Sequence, residues 1–95
     1  MDKQQIIETL KSLHLQLEPF HVTEISLFGS FVRNEQTPAS DVDALVTFDQ
    51  DASFFDLVRL GFFLEENLGR KVDVIPVESL RAEIRDTVLR ERILI

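Results

Sequence analysis

The sequence predicts a small α/β protein, a mixed sheet of about three strands with helices packed on it. Three observations lead there. Apolar residues recur at three- and four-residue spacing over 3–17, 53–68 and 79–91, the period of helices buried along one face. Between them lie short runs rich in Val, Ile, Leu and Phe at 22–28, 41–48 and 72–75, with the length of strands. The connection from 29 to 41 is too short for a full crossover helix, which calls for a mixed sheet, not an all-parallel one.

Each element has its own signals. In the first helix Ile6, Ile7, Leu10, Leu13 and Leu17 form the apolar stripe, and Glu18-Pro19 ends it because the residue before proline is pushed out of the helical region. Ile25 and Leu27 alternate in the first strand, a turn and short helix begin near Ser30, and 34–40 is a polar loop carrying Pro38. Asp41 to Phe48 is the second strand. Ser53 with Asp56 three residues on is a capping box for the helix 53–68. Its stripe is Phe54, Leu57, Val58, Leu64 and Leu68, widened by Phe55, Phe62 and Phe63. Most of these phenylalanines are expected in the core. Eight Phe nevertheless exceed what so small a core needs, so one face of this helix is a candidate interface. Gly69 stands where a left-handed cap is wanted, and Pro76 stops the third strand. Leu80, Ile84 and Val88 place the last helix over 79–91, and the apolar tail Ile93 to Ile95 is an edge strand or a docking segment.

At 95 residues the chain is expected to be one domain, 1–95. With 44% apolar and 28% charged residues it reads as globular, not disordered. No apolar run reaches the roughly eighteen residues of a membrane span, no secretory signal is visible at the N-terminus, and a cytoplasmic location fits. Without cysteine there is neither a disulfide framework nor a thiolate zinc site. A net charge of −7 disfavours direct nucleic-acid binding through a basic stripe, although metal ions can supply positive charge locally to an acidic nucleotide-handling protein.

The candidate site is Gly29-Ser30 followed by Asp41-Val42-Asp43. A Gly-Ser pair at the end of an apolar run can hold a phosphate with backbone N–H groups. Asp41 and Asp43 share a strand face, while Val42 and Leu45 alternate toward or away from the core. Two such carboxylates repel unless a cation sits between them, and hard oxygen ligands suit Mg²⁺. Asp73 lies inside an apolar strand, where burial without a partner is costly. If the third strand neighbours the second, Asp73 completes a triad with Asp41 and Asp43 that can hold two Mg²⁺ ions. Taken singly these are ordinary features: a turn, a solvated strand end, an aspartate paired with Arg70 or Lys71. Together they equip a protein for phosphoryl or nucleotidyl transfer.

These residues carry a resemblance. Gly29-Ser30, Asp41-x-Asp43 and Asp73 resemble the signature of the DNA polymerase β-type nucleotidyltransferase superfamily, and the stretches GSFVRNEQTPASDVDALV and LGRKVDVI look like the minimal nucleotidyltransferases. Many relatives carry glycine where Asn34 stands and a small residue where Val32 stands, and neither departure removes a catalytic group. The resemblance implies the polymerase β-type fold, with Gly29 and Ser30 gripping the triphosphate of ATP, Asp41 and Asp43 binding metal, and Asp73 sharing the catalytic metal and orienting or deprotonating the acceptor hydroxyl. Arg33 either touches phosphate or braces the loop through Glu35 or Asp41. The implied activity is that of an antitoxin moving AMP onto a hydroxyl, tyrosine being the expected one, of a HEPN-type ribonuclease toxin. A non-catalytic toxin-binding module and transfer to a small molecule are the alternatives. No stretch of the chain is left over to cover a nucleotide base, so a hetero-oligomer or homodimer is expected to complete the pocket. The chain has no tyrosine, so tyrosine modification would have to occur in trans.

Overall fold

The computed structural model of the chain describes residues 2–32 and 40–95. Helix α1 (Lys3–Ser12) leads through a 3₁₀ stretch, His14–Phe20, to β1 (Val22–Phe28), and a 3₁₀ turn, Gly29–Phe31, follows. Next come β2 (Val42–Phe48), α2 (Phe54–Leu68), β3 (Val72–Pro76), a 3₁₀ turn at Val77–Ser79, α3 (Ala82–Glu91) and β4 (Ile93–Leu94). The sheet order is β3-β2-β1-β4, so the apolar tail is an edge strand, and among the described residues the sheet has four strands where about three were expected. β1 runs antiparallel to β2 and β4, while β2 and β3 are parallel, joined by α2 as a crossover. The expected mixed sheet is therefore present.

Strand periodicity divides the sheet into two faces. On one, Ile25, Leu27, Val42, Ala44, Val46 and Val72 are buried with Ile6 and Leu10 of α1 and with Leu60, Leu64 and Leu68 of α2. The other carries Ser26 beside Leu45, and Phe28 beside Asp43, which pairs in turn with Asp73. Both elements of the α1–β1 connection bend to serve the first face. The helix ends at Ser12, short of the predicted Leu17, where Ser12 Oγ donates to Thr9 O at 2.6 Å, a back-bond that loosens a last turn. The tighter 3₁₀ path then accommodates Pro19 and still buries Leu13 and Leu17, until His21 ends it at φ 64°.

Helix α2 corrects the expectation for its phenylalanines. Phe54, Phe55 and Phe62 are exposed, at 72%, 75% and 67%, because Leu60, Leu64 and Leu68 already fill the space over the sheet. Phe63 alone of the group turns inward, against Phe20, with ring centroids 5.2 Å apart. The last helix begins at Ala82 and not at Ser79. Leu80, extended at ψ 136° and held by its N–H on Val77 O, is first directed into the interior.

The predicted capping box is formed: Ser53 N donates to Asp56 Oδ2 at 2.8 Å, and Arg59 pairs with the other carboxylate oxygen. The backbone bond from Ser53, then the Arg59 bond, holds the Asp56 carboxyl below the usual carboxylate range. A depressed folded-state value means that this stabilisation is present above the unfolded value, about pH 3.9, and is lost as pH falls through the folded one. Asp56→Asn should therefore lower the melting temperature at pH 7. The gap to the parent should close in melts run at progressively lower pH below 4.

Candidate functional site

The site is built where three strands meet on the face opposite the Val-rich core. Phe28, the last residue of β1, pairs with Asp43, and Asp43 pairs on its other side with Asp73. Neighbouring strands lie about 4.8 Å apart, and paired residues project to the same side, so Asp43 and Asp73 stand next to each other. Asp41 lies two residues before Asp43, just ahead of β2, and shares its side of the chain. The register supplies what the sequence left conditional: β3 does neighbour β2, and Asp73 does fall level with Asp43.

Gly29 turns the chain directly beside this row. Its φ is +78°, and a Cβ built there would run into the Asp43 carboxylate. Both facts require glycine, one for backbone conformation and one for space. Ser30 follows within the 3₁₀ turn, which closes with Val32 N–H on Gly29 O at 3.1 Å. The Gly-Ser pair is thus a tight turn pressed against an acidic strand position.

Two supports were not visible in the sequence. Arg70 Nη1 donates to Ser40 O at 2.9 Å, and Val42 N–H to Lys71 O at 2.9 Å, so the start of β3 holds the approach to Asp41 in place. Glu65 of α2 accepts from Val72 N–H at 3.0 Å and fixes the first residue of β3. Signals for these contacts exist only once the β2–β3 register is known. His21 pairs with Asp49 at 3.2 Å, in the loop after β2 and away from the acidic row.

Asp41 and Asp43 are half-buried, whereas Asp73 is exposed. The cost of burying Asp73 is therefore not what marks it out; its register with Asp43 is. Among the described residues, no three acidic or histidine side chains close into a group that could hold a metal ion. The hard carboxylate oxygens of the aspartates are nonetheless the donor type a divalent cation takes, and Gly29 lets the backbone turn approach the Asp43 carboxylate closely. Arg33 lies outside the described residues.

The Gly29 contact makes a direct prediction. Gly69 also has positive φ, +65°, but a Cβ there meets nothing within 4 Å. Gly69→Ala should cost about 1–2 kcal/mol for the left-handed backbone alone. Gly29→Ala adds the collision with Asp43 and should cost clearly more. Denaturant melts of both variants check the order, and equal losses would remove the contact from the account.

Known proteins resemble this chain in sequence, and solved structures resemble it in shape. The chain is 42% identical over 87 residues to protein adenylyltransferase MntA of Thermococcus cleftensis, covering 90% of this chain and 88% of that protein. A Methanocaldococcus jannaschii protein, provisionally named a protein adenylyltransferase, is 46% identical over 72 residues, 76% of this chain and 77% of its own. A solved structure provisionally described as a minimal nucleotidyltransferase superimposes with a TM-score of 0.87 at 31% identity, covering 98% of this chain and 95% of that one. The fold is also that of the MNT antitoxin solved in complex with a tri-AMPylated HEPN toxin of Shewanella oneidensis, with TM-score 0.68, 20% identity and coverage of 97% and 70%. A model of the nucleotidyltransferase domain matches residues 3–95, and the chain belongs to that family.

Proposed function

We propose that this chain, acting as one domain over 1–95 in the cytoplasm, is an antitoxin that moves AMP from ATP to a tyrosine hydroxyl of a HEPN-type toxin and so silences it. The observation that carries the reading is the Gly29–Asp43–Asp73 row, a left-handed glycine against one aspartate that is in register with a second. Similarity to an adenylyltransferase over 90% of the chain supports the reaction type. The partner is supported by the likeness in fold to an antitoxin solved with its AMPylated toxin.

In this reading the N–H groups of the Gly29-Ser30 turn hold the β- and γ-phosphates. Asp41, Asp43 and Asp73 would hold Mg²⁺, two ions on the carboxylate count, which would supply electrostatic stabilisation of the charge developing on the transferred phosphoryl group. Asp73, exposed at the rim, is open to an incoming side chain. Its carboxylate accepts the proton as the tyrosine oxygen attacks the α-phosphorus. One P–O bond to tyrosine forms, the bond from the α-phosphorus to the bridging oxygen breaks, and pyrophosphate leaves. Because the chain contains no tyrosine, the modified residue belongs to another molecule.

Intact-mass analysis of a HEPN partner incubated with this protein, ATP and Mg²⁺ tests the reading. AMP adducts should accumulate on the partner and not on this chain. Asp41→Ala with Asp43→Ala should reduce the rate at least about a thousandfold while the domain stays folded, since relieving like-charge repulsion does not destabilise the metal-free form. Asp73→Asn should lose turnover while keeping most ATP affinity. An inhibited but unmodified partner would favour a binding module instead. Label from ATP appearing on small molecules alone would favour the small-molecule acceptor.

A further inference from the structure

Helix α3 contains no buried residue, yet its apolar side is not simply surface. Ile84, Thr87, Val88 and Glu91, one helical face by their spacing, form a wall of a cavity of about 360 Å³. The opposite wall is Phe28, Gly29 and Asp43. The cavity is therefore continuous with the proposed phosphate-holding turn. Asp73 does not line it, since β3 lies on the far side of β2 from β1.

The β1–β4 register orients this wall. Leu94 pairs with Ser26 and Ile93 with Leu27. Glu91, the last residue of α3 and two before Ile93, therefore stands at the Gly29 end of the cavity that both line. Ile84 lies seven residues along the helix from Glu91, or about 10 Å. From the Gly29 end outward, the wall offers the Glu91 carboxylate, then Val88 and the Thr87 hydroxyl about one turn on, then Ile84. A nucleoside extending from its phosphates presents ribose hydroxyls first and apolar base faces beyond, which suits a carboxylate at the near end and Ile84 at the far end.

We propose that this cavity takes the nucleoside of the triphosphate, with Glu91 accepting hydrogen bonds from the ribose hydroxyls, Thr87 beside it, and Val88 and Ile84 covering the base. This rests on the nucleotidyltransferase reading above and names specificity residues for it. A charged acceptor makes a strong bond to a hydroxyl donor, and the volume is in the range of small-molecule sites. The competing occupant is the acceptor side chain. The geometry disfavours it, because the cavity lies on the Gly29 side of the acidic row and away from Asp73.

Calorimetric titration with Mg²⁺ and three probes, ATP, 2′,3′-dideoxy-ATP and inorganic tripolyphosphate, separates the possibilities. The parent protein should bind ATP at least about tenfold more tightly than the dideoxy analogue. Glu91→Ala should abolish that preference and leave tripolyphosphate affinity unchanged. Val88→Trp, which fills the cavity, should weaken both nucleotides and spare tripolyphosphate. Equal parental affinity for ATP and the dideoxy analogue would overturn the proposal, as would a preference that survives Glu91→Ala. Variants that bind ATP normally but modify the partner slowly at saturating ATP would assign the cavity to the acceptor, also overturning it. Failure of the parent to bind any of the three probes would instead refute the nucleotidyltransferase reading itself.

Discussion

Everything at this site depends on the register of β2 between its two neighbours. Strand side chains alternate with period two, so a one-residue slip would exchange the two faces of the sheet. The same alternation that buries Val42, Ala44 and Val46 beneath α1 and α2 directs Asp43 to the opposite side, beside Phe28 and Asp73. Hydrophobic burial therefore sets the register, and the register sets the acidic row. The core does the positioning, while Arg70 on Ser40 and Glu65 on Val72 hold the N-terminal ends of the two parallel strands.

The arrangement has an energetic cost. Like charges directly across neighbouring strands destabilise a sheet, and Asp43 and Asp73 are such a pair in a chain of net charge −7. Exposure of Asp73 keeps that cost low by leaving its carboxylate hydrated. Gly29 adds a left-handed backbone beside the same carboxylates. Local conflicts of this kind, tolerated by an otherwise consistent fold, are characteristic of functional sites. On the far side, α3 stands off from the sheet instead of packing into it, which leaves room beside Asp43 for a ligand.

Much of this was legible in the residues because local chemistry decided it. The capping box at Ser53 and Asp56, the left-handed Gly69, the strand at 22–28 and the Gly-Ser turn each depend on a few adjacent side chains. What the sequence could not express was anything set by partners across the sheet. Whether Asp73 stood next to Asp43 waited on the β2–β3 pairing, and the choice for Ile93–Leu94 waited on the β1 edge. The Phe-rich stripe of α2 misled for a related reason. Leu64 and Leu68 of that stripe are core as expected, but periodicity did not say where along it the core ends, and Leu60 joins them while Phe54, Phe55 and Phe62 face outward. Ile84 and Val88 had the spacing of core residues and instead line a cavity.

The central claim is that Gly29, Ser30, Asp43 and Asp73 form one site for a divalent cation with a nucleoside triphosphate. Substoichiometric Mn²⁺ with ATP, followed by paramagnetic broadening of assigned amide resonances, tests it without requiring a partner or turnover. The account predicts that the amides of Gly29, Ser30, Asp43 and Asp73 broaden first, while those of α1, behind the sheet, stay sharp. Broadening centred on another acidic surface, such as Glu65 and Glu66 of α2, with the Gly29 and Asp43 signals unchanged, would contradict it.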